Sequence, residues 1–186
     1  MADVLYTAPA SEPLTLDEAK KQLNQDHDYD DEYIASLIIA ARRYCEQYQN
    51  RAYITQTRDI WLDGWPVEDY IETLPPLATV THIKYYDTAN VEYTVSSADY
   101  FVDTKSFVGR IGLAYNKSWP TLTLRPFNGI NVRYTCGSTT VDEGVKLAMK
   151  LLIGHWYKNR EAVGVVEGEN EHAVKALLGL NRRRLV

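Results

Sequence analysis

Residues 34–62, IASLIIAARRYCEQYQNRAYITQTRDIWL, contain the change of rhythm that decides the fold. In the first half, Ile34, Leu37, Ile38, Ala41, Tyr44, Cys45 and Tyr48 recur at steps of three and four, the repeat of an amphipathic helix. Arg42, Arg43 and Glu46 lie off that stripe. From Ile54 onward the chain turns to short β-branched and aromatic runs, which suit half-buried strands. A helix therefore gives way to a β region at about Ala52.

Toward the N-terminus, the acidic stretch Asp26, Asp28, Asp30, Asp31, Glu32 suits the positive end of that helix's dipole, with Asp30 as its N-cap. Thr15 and Glu18 form a T-x-x-E capping box, which predicts a shorter helix through about Asn24. Residues 1–13 read as an extended arm, because Pro9 and Pro13 oppose a helix.

Toward the C-terminus, candidate strands run over 55–62, 70–74, 80–86, 91–95, 100–103, 109–114 and 130–135. Trp65-Pro66, Pro75-Pro76, Asp87–Asn90, Trp119-Pro120 and Pro126–Gly129 supply the breaks. Seven short strands without intervening helices predict an antiparallel sandwich or rolled sheet. Helical spacing returns at Asp142, where Val145, Ala148, Met149, Leu152 and Trp156 make an apolar face. After a loop rich in Gly and Glu, a last helix is expected from about Glu171 to Leu180, ahead of Arg182, Arg183 and Arg184. Each helical flank offers one apolar stripe that needs a partner. The expected class is α+β, with a helical bundle formed by residues 1–52 and 137–186 and an antiparallel β domain inserted at 53–136.

Composition bounds the function. At 45% hydrophobic and 24% charged, the chain has the make-up of a folded protein. Apolar runs such as Leu37–Ala41 fall far short of the ~20 residues needed to span a bilayer, so no membrane role is expected. The start, Met1-Ala2-Asp3-Val4, lacks the basic and apolar regions of a secretory signal, which predicts a cytoplasmic site of synthesis and assembly. Cys45 and Cys136 read as small core residues rather than a disulfide.

The net charge of −5 conceals a gradient: residues 1–32 carry nine acids and two bases, residues 142–186 six acids and eight bases. Unlike ends suit a subunit that meets its copies head to tail, although two solvated surfaces would read the same way.

Motifs for catalysis or metal binding are missing. An EF-hand built on Asp26-x-Asp28-x-Asp30 would need Gly where Asp31 stands and a bidentate Glu where Leu37 stands. His27, His82, His155 and His172 form no pair at zinc-ligand spacing, and no CxxC or HExxH accompanies them. There is no nucleophile elbow, phosphate loop or dinucleotide turn, and Gly137-Ser138-Thr139-Thr140 reads as a strand-to-helix connector. No cofactor and no enzymatic activity are expected. The fourteen tyrosines and four tryptophans could stack sugars or bases, but they are scattered through an insertion of nine acids and seven bases. Core and protein-interface roles fit them better, with a carbohydrate- or nucleic-acid-binding β module as the alternative.

Taken in order, several segments resemble the head-tail connector (adaptor) proteins of tailed bacteriophages and prophages, in their long form with a β insertion. The carriers are residues 13–20 (PLTLDEAK), 40–46 (AARRYCE), 54–57 (ITQT), 109–111 (GRI), 117–120 (KSWP), 132–134 (VRY) and 155–162 (HWYKNREA). Two places depart from the pattern: Cys136-Gly137-Ser138 stands where an Ala-Gly-aromatic sequence is common, and Val141-Asp142 where a proline often starts the late helix.

The resemblance implies a structural subunit of a homo-oligomeric ring, typically a dodecamer. Such a ring docks on the portal protein after packaging and bridges it to tail or stopper proteins, with DNA passing through the lumen without sequence-specific binding. It also implies residence at the head-tail interface of the virion, after assembly in the host cytoplasm. On this reading the portal-contact candidates are Leu177, Leu178, Arg182, Arg183 and Arg184. The intersubunit candidates are Asp28, Asp30, Asp31, Glu32, Arg42 and Arg43.

Overall fold

The computed structural model describes residues 2–160 and 169–179. The chain divides into two compact units, one made of residues 1–10 and 55–138, the other of 11–54 and 139–186. The fold is α+β.

In the helical unit, α1 (Leu16–Leu23) starts at the expected capping box: Thr15 Oγ1 accepts from the Glu18 N–H at 3.2 Å, and Glu18 accepts from the Thr15 N–H at 2.9 Å. It ends at Asn24 in the left-handed conformation. Helix α2 (Asp31–Gln49) is the long helix of the opening stretch, and Asn50 closes it with the same left-handed cap. Helix α3 (Glu143–Lys158) begins where the Asp142 side chain accepts from the Gly144 N–H, which supplies the cap without a proline. Helix α4 (Glu169–Gly179) follows. Ile34, Ile38 and Ala41 of α2, Ala148, Met149 and Ile153 of α3, and Val174 and Leu178 of α4 meet in one core with Leu14 and Ala19. Cys45 is a free thiol in that core, and burial pushes its pKa up to about 12.

The other unit holds eight strands in two antiparallel sheets: β1 (Ala2–Thr7), β2 (Gln56–Leu62), β3 (Tyr70–Glu72), β4 (Leu77–Tyr86), β5 (Glu92–Thr94), β6 (Tyr100–Asp103), β7 (Arg110–Leu113) and β8 (Ile130–Cys136). The larger sheet has the order β1-β2-β8-β4-β5, the smaller β3-β7-β6. Their cores are aliphatic: Ile60, Ile83, Ile130 and Val132 in one, Ile71 and Ile111 in the other, all buried. Tyr134 is also buried, its hydroxyl donating to Asp3 and accepting from the Leu74 N–H.

The N-terminal residues correct the expected division. Residues 2–7 are an edge strand of the large sheet rather than an arm of the helical module, since β1 runs antiparallel along β2 from Ala2↔Trp61 to Thr7↔Thr57. The placement is secured by polar contacts: Asp3 pairs with Arg58 at 2.8 Å, and the Arg133 guanidinium lies 3.3 Å from the centre of the Tyr6 ring.

Gly109 is required by close packing. A Cβ there would sit 2.1 Å from Leu77 Cβ and 2.8 Å from Thr73 Oγ1, while the Gly109 carbonyl already accepts from the Thr73 N–H. Gly109→Ala should therefore destabilise the protein by about 3 kcal/mol in urea unfolding. Gly64→Ala, with nothing within 4 Å of the added carbon, should stay within about 0.5 kcal/mol of the parent.

Candidate assembly surface

The acidic start of α2 is not a loose run of charge. Lys20 on α1 reaches both Asp28 and Asp31, at 2.9 and 2.8 Å, and holds this stretch against the preceding helix. The hydrogen bond from Lys20 lowers the Asp28 pKa, while Asp31 and Asp28 together raise that of Lys20. Asp30 faces the end of α3 instead. Its Oδ2 accepts from the Tyr157 hydroxyl at 2.5 Å and from Arg160 at 2.8 Å, and both bonds hold its pKa below the ordinary carboxylate range. Arg160 stacks over the rings of Tyr33 and Tyr157, 4.7 Å from each centre. Of this group Asp28 and Glu32 are exposed, while Asp30 and Asp31 are half-buried.

The next two candidates part company. Arg43 is exposed, whereas Arg42 is only 5% exposed and is bound inside its own chain. It donates to Glu12 through Nε and Nη2, at 2.7 and 3.2 Å, and to Glu46 through Nη1 at 2.8 Å. The intersubunit assignment of Arg42 is thus corrected: a buried guanidinium held by two carboxylates cannot also meet a neighbour. The pairing continues inward. Glu46 accepts from the Tyr53 N–H at 2.8 Å, the Tyr53 hydroxyl donates to Gln49 at 2.7 Å, and Gln49 Nε2 donates to the Leu178 carbonyl at 2.6 Å.

That last bond also decides the portal candidates on α4. Leu178 is fully buried in the helical core, so it packs the subunit and is withdrawn as a contact. Leu177 is half-buried against the same core and keeps some free surface. Arg182, Arg183 and Arg184 lie outside the described residues. Sequence reasoning missed the polar chain, although Arg42 and Glu46 at i,i+4 and Val174 with Leu178 at i,i+4 were readable signals.

Several aromatics of the β unit stack on one another or under arginines, while Phe101, Tyr115 and Phe127 are largely exposed. Trp65 stacks on Trp119 with ring centres 4.7 Å apart, Tyr85 on Tyr93 at 5.3 Å, and Arg125 covers Tyr86 at 4.2 Å. On the small sheet, Tyr70, Gly112 and Phe101 stand side by side across three strands. They flank a shallow trough of about 250 Å³, beside which Arg110 pairs with Asp103 at 2.9 Å. Among the described residues no group of three His, Cys, Asp or Glu could hold a metal, and no helix is long and apolar enough to cross a membrane.

The contrast between neighbouring arginines is measurable. Arg42→Ala should cost about 3 kcal/mol or more in urea unfolding, because it strands Glu12 and Glu46, whereas Arg43→Ala should stay within about 0.5 kcal/mol.

Comparison with known proteins gives these surfaces a setting. In solved structures the fold recurs at full length. It matches a chain in the neck of an empty GTA particle computed with C6 symmetry, with a TM-score of 0.84 and 22% identity. It also matches chains in the virion of a native gene transfer agent (GTA) particle, with TM-score 0.82 and 22% identity, and in the neck of the native particle computed with C12 symmetry, with TM-score 0.79 and 23% identity. In each case the match covers 100% of this chain and 97% of the other. No curated protein matches by sequence. The family model for head completion proteins matches residues 12–175, which include all four helices apart from the end of α4 and every strand except β1, and the chain belongs to the head completion protein family.

Proposed function

We propose that the protein is a structural, non-enzymatic subunit of a head-tail connector ring. The observation that carries this reading is membership of the head completion family through both the helical segments and the β strands from β2 to β8. The shared fold adds support: the matched chains sit in necks that were computed with sixfold and twelvefold symmetry. On this reading the chain forms a ring, a dodecamer, that docks on the portal protein once the head is filled. It bridges the portal to tail or stopper proteins and encloses a lumen through which DNA passes without sequence-specific contacts.

The division of labour follows from chemistry. Of the intersubunit candidates, Glu32 and Arg43 are exposed and can meet a neighbouring copy, while Asp28, exposed but paired with Lys20, and the partly covered Asp30 and Asp31 steer by field. Leu177 and the basic segment Arg182, Arg183, Arg184 are the groups given to the portal contact. Its residence would be the neck of the virion, reached from the host cytoplasm. A carbohydrate- or nucleic-acid-binding module is less well supported. The trough on the small sheet offers two rings rather than a row, and its one arginine, Arg110, is already paired with Asp103.

The portal assignment can be tested by pull-down of the chain with its cognate portal protein. Reversing Arg182, Arg183 and Arg184 together to Glu should weaken capture about tenfold or more, with the helical content unchanged. Undiminished capture and undiminished ring formation would contradict the role given to these arginines.

A further inference from the structure

Two helix faces of the helical unit point away from its core. On α2, Glu32, Ser36, Ile39 and Arg43 are all exposed, and steps of three and four put them on one stripe opposite Ile34, Ile38 and Ala41. Ile39, 39% exposed, stands near the middle of that stripe. On α3, Glu143, Leu147, Lys150, Gly154 and Lys158 form the corresponding stripe opposite Ala148, Met149 and Leu152; Glu143, Leu147 (47%) and Lys158 are exposed, Lys150 and Gly154 half-buried.

Gly154 is the anomaly. Glycine inside a helix costs ~1 kcal/mol relative to alanine. Yet a Cβ at Gly154 would meet nothing within 4 Å, so the packing of this chain does not require it. Bare backbone on an outward helix face is what a closely approaching second helix needs.

We propose that α2 of one copy packs antiparallel on α3 of the next copy through these two stripes, the inference resting on the ring reading above. The charges select the direction. Arg43 lies four residues beyond Ile39, and Glu143 four residues before Leu147, about 6 Å along each helix. Antiparallel packing that sets Ile39 on Leu147 therefore brings Arg43 to Glu143 of the neighbour. The same register places Glu32 over Gly154, where the neighbour's Lys158 is within one turn. Parallel packing with the same pair in contact would put Glu143 opposite Ala35, within one turn of Glu32, and Arg43 opposite Leu151, so it crowds two acids and leaves Arg43 without Glu143. The two faces are unlike, so the contact is head-to-tail, the kind that closes rings.

Ile39→Cys with Leu147→Cys in one full-length chain, mildly oxidised, tests the register, because Cys45 and Cys136 are buried and give little background. A ladder of disulfide-linked multimers is expected, with neither single variant giving one. Gly154→Leu supplies a second arm: the isolated chain should be at least as stable, since its Cβ enters open space and leucine is the better helix former, while association falls about tenfold or more.

A ring seen by mass measurement without the ladder would overturn this interface and leave the ring reading standing. A dimer from Ile39→Cys alone would overturn it in favour of α2 pairing with itself. A chain that stays monomeric at high concentration and gives no cross-link contradicts both the interface and self-driven ring formation.

Discussion

The helical unit depends on one buried polar chain, Glu12–Arg42–Glu46–Tyr53–Gln49–Leu178. It begins in the segment that enters the unit, crosses the middle of α2, passes through the strand-bound segment at Tyr53 and ends on the backbone of α4. Hydrophobic burial supplies most of the stability of such a core but is not directional. Hydrogen bonds to a buried guanidinium and a buried amide are directional, and leaving any partner unmatched costs more than the bond contributes. The chain of bonds therefore fixes which turn of α4 faces α2 and where residue 12 must lie.

That internal use of charge sorts the surface by elimination. Arg42 is consumed within the subunit, Asp30 by Tyr157 and Arg160, and Asp28 and Asp31 share Lys20. What remains outward on α2 is a narrow stripe with Glu32 at one end and Arg43 at the other, and on α3 a stripe whose order of charge is complementary. On the proposed reading, two unlike helical faces suit a subunit whose work is placement rather than chemistry. Some of the β unit's aromatics stack on one another or under arginine, whereas Phe101, Tyr115 and Phe127 keep most of their surface exposed.

Much of the secondary structure was legible because it is local. The capping box at Thr15, the α2 stripe and the strand over residues 100–103 all stand where the spacing of residues puts them. What escaped was non-local. Residues 2–7 pair with β2 across fifty residues or more, and no pattern within the strand itself says so. Strand β4 begins at Leu77, right after Pro75-Pro76, because β8 offers a partner there and shifts in register accommodate the pairing. Arg42 and Leu178 were misplaced for a related reason: their burial is set by groups far away in sequence, Glu12 in one case and Gln49 in the other.

The central claim is that this chain works as one copy in a closed ring at the neck. Electron microscopy of the purified chain mixed with its portal protein measures that directly. The account predicts class averages of a closed twelve-subunit ring with an open channel, stacked coaxially on the portal; single chains bound at scattered sites, or no added density on the portal, would contradict it.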